Sequence, residues 1–360
     1  MPDAPLDRER LRSRVQEVLD AWVSRQIPLL EEVDPACLPV ATAVQELIAG
    51  GKRLRAGFCY WGWRGAAGPD DEVAVQVAAS LELFQAAALL HDDVIDDSDI
   101  RRGRPAAHRR FEALHRAESW QGDPRRFGLA AAVLAGDMCL SWSAELLSLA
   151  STGLPARRRE AGRAVYEQMA TQLMGGQYLD VLTQARPIGA DDALERARRV
   201  IRFKTVKYTV EHPLLLGARL AGADADLLAV YSAYANPVGE AFQLRDDVLG
   251  VFGDPATTGK PSGDDLREGK RTVLLALARR AATGSQRTRL DTLVGSPALD
   301  LAGVDAVREV FTSTGALDEV EQMIARLGDQ GRAALVSAPV AQPARDVLCD
   351  LVDVATRRTT

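Results

Sequence analysis

The chain has 360 residues, of which 47% are hydrophobic and only 5% aromatic, and it carries a formal net charge of -6. This acidic balance and the scarcity of aromatic rings count against nucleic acid as the main partner, because nucleic-acid-binding domains are usually basic and stack bases on aromatic side chains. Four widely separated cysteines predict neither a zinc site nor a disulfide framework and favour a cytoplasmic protein, and the sequence predicts neither a signal peptide nor a membrane span.

Apolar residues recur at intervals of three and four through most of the chain, as in Leu11, Val15 and Trp22. This period is typical of helices that bury one face. Glycine, proline and short polar clusters interrupt the pattern, but none of these breaks is a long polar linker. The sequence therefore predicts a single all-α domain over residues 1–360, built as a bundle of roughly twelve or more helices, with residues 1–7 flexible.

A glycine pair, Gly50-Gly51, precedes two cationic residues, Lys52 and Arg55, at the expected start of a helix. Residues three apart on a helix lie on one face, so the two cations can bind a single anion together. Taken alone, the segment also fits a solvated helix start.

An acidic cluster follows a long apolar stretch and contains Asp92, Asp93 and Asp96. On a helix Asp92 and Asp96 share a face, and Asp93 lies at its edge. Buried carboxylates repel one another and resist ionisation unless cations join them. Two arginines, Arg101 and Arg102, come soon after, and oxygen ligands beside a guanidinium pair suit a magnesium-bridged phosphate. Surface acids are the alternative, which the flanking apolar residues disfavour.

The segment 202–210 is ambiguous, because its β-branched and aromatic residues would tolerate a strand. The spacing of Val200, Phe203, Lys207 and Val210 also fits a helix. We predict a bent helix here because a proline follows shortly downstream.

A second acidic cluster repeats the arrangement with Gln243, Asp246 and Asp247, again between core-type residues. Neither cluster has the glycine spacing of an EF-hand calcium loop. The sequence therefore predicts two acidic helices that bind divalent cations.

Taken in order, these motifs resemble those of the trans-type isoprenyl diphosphate synthases, the family of farnesyl and geranylgeranyl diphosphate synthases. The resemblance rests on the glycine-lysine-arginine segment 50–55, the Asp-Asp-x-x-Asp motif 92–96 with Arg-Arg-Gly after it, the segment 243–247, and Gly259-Lys260, and it extends to about residue 272. It implies a helical bundle around a deep central cavity, usually a homodimer. In that cavity an allylic diphosphate ionises, and isopentenyl diphosphate attacks the resulting cation.

The resemblance also implies roles for individual residues by motif position. Three Mg²⁺ ions would be held by Asp92, Asp93, Asp96 and Asp246, with support from Asp247 and Asp265. The implied contacts to the allylic diphosphate are Arg101, Lys204 and Lys260, and those to isopentenyl diphosphate are Lys52, Arg55, Gln85 and Arg102. The residues that would assist the chemistry, by stabilising the developing carbocation or holding the leaving group, are Gln177, Asp180, Lys204, Thr205 and Gln243.

Two positions depart from the family pattern. Gly250 stands where the fuller second acidic motif has a third aspartate, which predicts weaker binding of the third ion. Gln85 stands where many relatives have histidine, and since glutamine still donates a hydrogen bond to phosphate, we expect function to survive.

Product length is predicted from helix geometry. If Asp92 lies at the cavity mouth, Ala88 is about 6 Å deeper and Phe84 about 12 Å deeper on the same helix. Farnesyl-type enzymes resemble a tube that aromatic residues block at the positions of Ala87 and Ala88, and methyl groups cannot provide that block. Phe84 could do so one turn lower, which favours geranylgeranyl diphosphate as the product.

Several alternatives remain open at this stage. The product could be farnesyl diphosphate or a longer polyprenyl diphosphate. A class I terpene cyclase would share the fold and the metal-dependent ionisation, although it has no second diphosphate to bind at Lys52, Arg55 and Arg102. A non-catalytic partner subunit of an active synthase is the third alternative, suggested by the missing third aspartate.

Overall fold

The computed structural model describes residues 5–186, 192–253 and 263–357. Within these ranges almost all regular structure is helical, and the single sheet is a short antiparallel hairpin that pairs Ile100–Arg101 with Arg104–Pro105. The predicted all-α class is therefore confirmed. Of the segment 1–7 predicted to be flexible, residues 5–7 belong to a 3-10 segment, and the rest lie outside the described residues.

The helices of the first half, in chain order, are α1 (Leu11–Val33), α2 (Leu38–Ile48), α3 (Leu54–Gly65), α4 (Glu72–Ile95), α5 (Ala107–Ala117), α6 (Pro124–Ala150), α7 (Ala156–Ala185) and α8 (Ala193–Val200). Those of the second half are α9 (His212–Ala221), α10 (Ala225–Phe252), α11 (Asp264–Arg267), α12 (Val273–Ala281), α13 (Gly284–Leu293), α14 (Leu301–Ser313), α15 (Ala316–Leu335) and α16 (Ala344–Arg357). Two 3-10 segments, Pro5–Arg10 and Pro35–Cys37, precede α1 and α2.

The helices that carry the acidic clusters begin at aspartate caps. The side chain of Asp71 accepts a hydrogen bond from the backbone N–H of Ala74 at the start of α4, and Asp224 does the same for Leu227 at the start of α10. Each cap satisfies a donor that has no partner within the helix. Local sequence therefore fixes where both helices begin.

The segment 202–210, which the sequence allowed to be either a strand or a helix, is helical, as predicted. Residues Ile201–Glu211 form a π-helix, here called the wide helix, which joins α8 to α9 without a break. Pro213 in the first turn of α9 has no N–H to donate to the preceding turn, which favours an altered hydrogen-bond pattern there. Wide turns of this kind are frequent at functional sites.

A small apolar cluster of Ala43, Phe111 and Ala132 joins α2, α5 and α6, and two large clusters stabilise the rest of the described chain. The larger of the two joins α1 to α4 with α6, α7, α9, α16 and the first half of α10. The other large cluster joins α8, the wide helix, the second half of α10 and α11 to α15. Because α10 contributes Tyr234 to one cluster and Leu244 to the other, it holds the two together.

Two described helices, α4 and α6, are long and apolar enough to cross a membrane by length and composition alone. The most apolar stretch of α4 is 72% buried inside the protein, so its apolar character is explained by the core. The corresponding stretch of α6 is only 39% buried, so this helix presents an apolar face outward.

Candidate active site

A cavity of about 840 Å³ opens among α3, α4, α7, the wide helix and α10. Asp92 of the first acidic cluster and Asp246 of the second both line it, so the two clusters share one hollow. The other predicted site residues that line the cavity are Lys52, Arg55, Phe84, Gln85, Ala88, Arg102, Gln177, Lys204, Thr205 and Gln243.

Asp92 receives two donors from elements that are distant in sequence. Gln177 on α7 donates its amide N–H to Asp92 Oδ1 at 2.9 Å, and the Lys204 ammonium lies 3.4 Å from the same oxygen. Lys204 also donates to Asp180 Oδ2 at 2.7 Å. Burial lowers the pKa of Lys204, but Asp92 and Asp180 raise it by more, so the side chain stays cationic between the two acids.

Gly176 allows α7 to reach this position. A Cβ at residue 176 would lie 2.7 Å from the backbone nitrogen of Lys204 and equally close to the carbonyl carbon of Phe203. Only glycine permits such a close approach of two backbones. The helix α7 therefore packs directly on the wide helix, which brings Gln177 and Asp180 to the cavity.

Asp93 lies behind the cavity wall and pairs with Arg101. Its side chain is buried and accepts hydrogen bonds from Arg101 Nε, at 2.8 Å, and from Nη2. Burial raises the pKa of Asp93, and the guanidinium offsets part of that rise. Arg101 also lies 4.0 Å from Asp92, so its cation faces the first acidic cluster.

The remaining acids are arranged so that their charges repel. Burial, followed by the charge of Asp92, raises the pKa of Asp96 to about 6. Burial, with the charges of Asp265 and Asp246, raises the pKa of Asp247 to about 8. Bound cations would lower both pKa values, because they stabilise the ionised carboxylates.

Among the described residues, no three acidic, histidine or cysteine side chains converge closely enough to enclose an ion by themselves. This agrees with the chemistry of Mg²⁺, which usually takes one or two carboxylates and completes its coordination with water and substrate phosphates. Asp92 and Asp246, which line the cavity, are oxygen donors of this kind, whereas Asp96 is not among the lining residues.

A chain of hydrogen bonds links the wide helix to the second acidic cluster. Thr205 Oγ1 donates to Gln243 Oε1, and Gln243 Nε2 donates to Asp247 Oδ1, both at 2.8 Å. The contact to Asp247 fixes which end of the Gln243 amide faces Thr205. The wide helix and α10 are thereby held at a constant separation beside the cavity.

Gly250, the departure from the family pattern, has a structural reason. A Cβ at this position would collide with a carboxylate oxygen of Asp265. Asp265 is held there by Lys270, whose ammonium lies 2.7 Å from its Oδ1. An acidic side chain from α11 thus occupies the space that a side chain at 250 would need.

Lys260, a predicted contact to the allylic diphosphate, lies outside the described residues.

Of the two alanines predicted to set product length, Ala88 lines the cavity. Ala87 is buried in the core and is not among the lining residues.

Comparison with known proteins identifies the family. Residues 39–311 match the family model described as polyprenyl synthetase. The chain belongs to the polyprenyl synthetase family.

Among its relatives, a geranylfarnesyl diphosphate synthase of Natronomonas pharaonis is 31% identical over 96% of both chains. A farnesyl diphosphate synthase of Geobacillus stearothermophilus is 32% identical over 76% of this chain and 86% of its own. A crystal structure of geranylgeranyl pyrophosphate synthase from Corynebacterium glutamicum, complexed with isoprenyl diphosphate and magnesium, superposes with a TM-score of 0.91 at 38% identity. That match covers 97% of this chain and 99% of the other. The resemblance inferred from the motifs is therefore confirmed, and the relatives are named as synthases of products of several lengths.

The basic side of the cavity carries Lys52, Arg55 and Arg102. Sequence reasoning missed two further residues on this side, Tyr208 and Thr209. The Arg55 guanidinium lies 4.0 Å from the centroid of the Tyr208 ring, a cation–π contact, and donates to Thr209 Oγ1 at 2.8 Å. Tyr208 in turn donates its hydroxyl to Gln85 Oε1. Their spacing from Lys204, four and five residues along one helix, is the signal that could have identified both.

Phe84 is fixed in place by two tyrosines. Its side chain is 1% exposed and contacts the rings of Tyr166 and Tyr208, with centroids 5.5 and 5.7 Å away. Tyr166 is anchored by a hydrogen bond to Ser143 at 2.9 Å. The aromatic group predicted at this depth is therefore a packed cluster of three rings, which resists displacement.

We predict that metal-free protein loses stability as the pH rises from about 4 to about 8, because of Asp247. With its pKa of about 8, the folded state keeps a proton that the unfolded state releases near pH 4. The free energy of unfolding should fall by up to about 1.4 kcal/mol per pH unit in this range. Asp247→Asn, which still accepts from Gln243, should flatten that part of the profile.

Denaturant unfolding of the chelated protein at several pH values measures the effect. Asp353→Asn, at a surface ion pair with Arg332, is the matched control and should keep the wild-type slope. An unchanged slope in Asp247→Asn would contradict the assignment.

Proposed function

We propose that the protein condenses isopentenyl diphosphate with allylic diphosphates in a Mg²⁺-dependent reaction. The observation that carries this proposal is the single cavity that joins Asp92 and Asp246 to the cationic residues Lys52, Arg55 and Arg102. The acids suit a metal-bound leaving diphosphate, and the cations suit a second diphosphate. One hollow that binds two diphosphates at different chemical sites is what a condensation requires.

We further propose three Mg²⁺ ions per site, two held by Asp92, Asp93 and Asp96 and one by Asp246, with support from Asp247 and Asp265. The ions would neutralise the diphosphate and make it a better leaving group. The pKa values of Asp96 and Asp247, raised first by burial and then by neighbouring carboxylates, support this assignment, because a bound cation would stabilise both ionised groups.

The chain's own residues would then guide the reaction. Lys204 would hold the leaving diphosphate as the allylic C–O bond breaks, and the oxygens of Thr205 and Gln243 would face the developing carbocation. The double bond of isopentenyl diphosphate forms the new C–C bond, and the proton that this carbon skeleton loses passes to the released diphosphate. Apolar walls at Leu140 and Leu173 would keep water from the cation.

We propose geranylgeranyl diphosphate as the main product. Support comes from Ala88, whose methyl group leaves the upper cavity open, and from the three-ring cluster at Phe84 below it. The relatives include a farnesyl and a geranylfarnesyl diphosphate synthase, whose products are one isoprene unit shorter and one unit longer than geranylgeranyl diphosphate. These two products are the competing assignments.

We propose that the chain works as a homodimer. The helix α6 exposes Val133, Leu134 and Leu149 to between 39% and 57%. Exposed apolar side chains are typical of surfaces that a partner covers. A second copy of the chain, packed along α6, would bury them.

We also propose a single domain and a cytoplasmic location. The continuous helix α10 through both apolar clusters supports the first. The four unpaired cysteines are consistent with the second.

The direct test is incubation of the purified protein with labelled isopentenyl diphosphate and dimethylallyl, geranyl or farnesyl diphosphate, with Mg²⁺ or with chelator. We expect label in a longer prenyl diphosphate only when Mg²⁺ and a primer are both present. Asp92→Asn should reduce the rate about 100-fold or more. Cyclic hydrocarbon from an allylic diphosphate alone would instead indicate a cyclase, and no incorporation by the protein alone would indicate a partner subunit.

Product length should change with the size of the side chains on the cavity face of α4. Ala88→Phe is expected to shorten the product to farnesyl diphosphate, because it places an aromatic block one turn higher, and Phe84→Ala to lengthen it, because it removes one ring from the existing block. Ala88→Ser, which keeps nearly the same volume, is the control. Chromatography of the dephosphorylated products measures this, and unchanged lengths in both variants would locate the block elsewhere.

Leu134→Glu should convert a dimer into monomers, because it introduces a charge into the apolar face of α6. Leu301→Glu on α14 replaces a leucine that is 68% exposed, against 57% for Leu134, and lies on a different helix, so it should leave the dimer intact. Sedimentation velocity distinguishes the species, and a monomeric wild-type protein would refute the proposed dimer.

A further inference from the structure

Arg53, between two residues of the basic side of the cavity, has an unusual backbone conformation. Its φ of +52° lies in the left-handed region, where a residue with a side chain is strained. Such a conformation persists only when surrounding contacts enforce it. Arg53 is also 5% exposed, so an arginine is buried at the first turn of α3.

The buried guanidinium of Arg53 is bound from three other elements. It lies 3.1 Å from Glu82 Oε2 on α4, donates at 2.5 Å to Gln16 Oε1 on α1, and donates to the carbonyl of Ile48 at the end of α2. Glu82 is itself 6% exposed, so the ion pair is shielded from water. A planar guanidinium with several donors can satisfy all three acceptors at once, which lysine cannot do.

The same acceptors also hold the backbone on both sides of Arg53. Glu82 Oε1 accepts the N–H of Ala56, an otherwise unpaired donor in the first turn of α3, at 3.2 Å. Gln16 Oε1 accepts the N–H of Gly50 at 3.0 Å. The segment from Gly50 to Ala56 is therefore fixed at each end and in the middle.

This fixed segment carries Lys52 and Arg55, which line the cavity while Arg53 points into the core. A left-handed residue between them reverses the local chain direction, so the neighbouring side chains can face the cavity. The separation of the two cavity cations thus depends on contacts that no substrate touches. A buried ion pair adds little net stability by itself, so we assign this one to conformational specificity.

We propose that Arg53, Glu82 and Gln16 form a positioning device for the diphosphate of isopentenyl diphosphate. It sets the geometry of Lys52 and Arg55 and leaves the allylic site at Asp92 and Lys204 unaffected. The inference rests on the proposed function, because it assigns Lys52 and Arg55 to that substrate.

The test compares Arg53→Met, Glu82→Met and the double variant with wild type. Each single variant leaves one buried charge unpaired and should be destabilised, whereas the double variant removes both charges and should recover part of the stability. In all three the segment is no longer fixed, so KM for isopentenyl diphosphate should rise about tenfold. KM for the allylic diphosphate should change by less than about twofold, since its site is untouched.

Two further variants keep the proposal testable if the single variants fold poorly. Gln16→Ala removes only the acceptor for Gly50 and one contact of Arg53, and should raise KM for isopentenyl diphosphate by a smaller factor. Arg53→Lys keeps the charge and should restore part of the affinity. Tyr234→Phe removes a buried hydrogen bond to Leu348 far from the cavity and should change neither KM.

The proposal is overturned if both KM values rise together, or if the double variant recovers wild-type KM along with its stability. Calorimetric binding of isopentenyl diphosphate alone separates this outcome from a failure of the proposed function. If the wild-type protein binds isopentenyl diphosphate but does not condense it with any of the primers, the proposed function is refuted. The dissociation constants of the variants would still decide the inference. A wild-type protein that does not bind it would overturn both.

Discussion

The repulsion between carboxylates at the edge of an apolar cavity is the constraint on which the rest of the structure depends. Burial and the charge of Asp92 oppose the ionisation of Asp96, and burial with the charges of Asp265 and Asp246 opposes that of Asp247. Such an arrangement costs stability and persists only on helices that are held firmly elsewhere. The buried faces of α4 and α10 provide this, because one helix is central to the larger apolar cluster and the other spans both clusters.

The cationic side of the site balances this charge without occupying the space of a substrate. Lys204 lies between Asp92 and Asp180, and its position depends on the close contact of α7 with the wide helix at Gly176. The close approach of the two helix backbones at Gly176 therefore determines where the charge of Lys204 lies relative to Asp92 and Asp180. Since the wide helix also carries Thr205 and Tyr208, one irregular segment brings three functional groups to one cavity.

The parts of the site that sequence predicted are those set by local spacing. The acids four apart on an apolar helix, and the cations after Gly50-Gly51, follow from helix period and composition. Tyr166 was missed because its role depends on which helices approach Phe84, which periodicity does not encode, whereas the spacing of Tyr208 from Lys204 could have identified Tyr208. The place of Asp265 beside Gly250 likewise arises from a contact between α10 and α11, and the backbone of Arg53 from contacts of three helices.

On the function proposed above, one helix connects substrate placement to product length. Along α4, Glu82 accepts from the start of α3, Phe84 packs in the aromatic cluster, and Asp92 stands at the acidic wall. At about 1.5 Å per residue, a rigid helix fixes the distances between these points. A shift of α4 along its axis would therefore move the acids, the aromatic block and the anchor of the basic segment together. The reaction centre and the depth of the cavity are coupled by this rigidity, and local substitutions on the cavity face, rather than movement of the helix, are the changes that can alter one without the other.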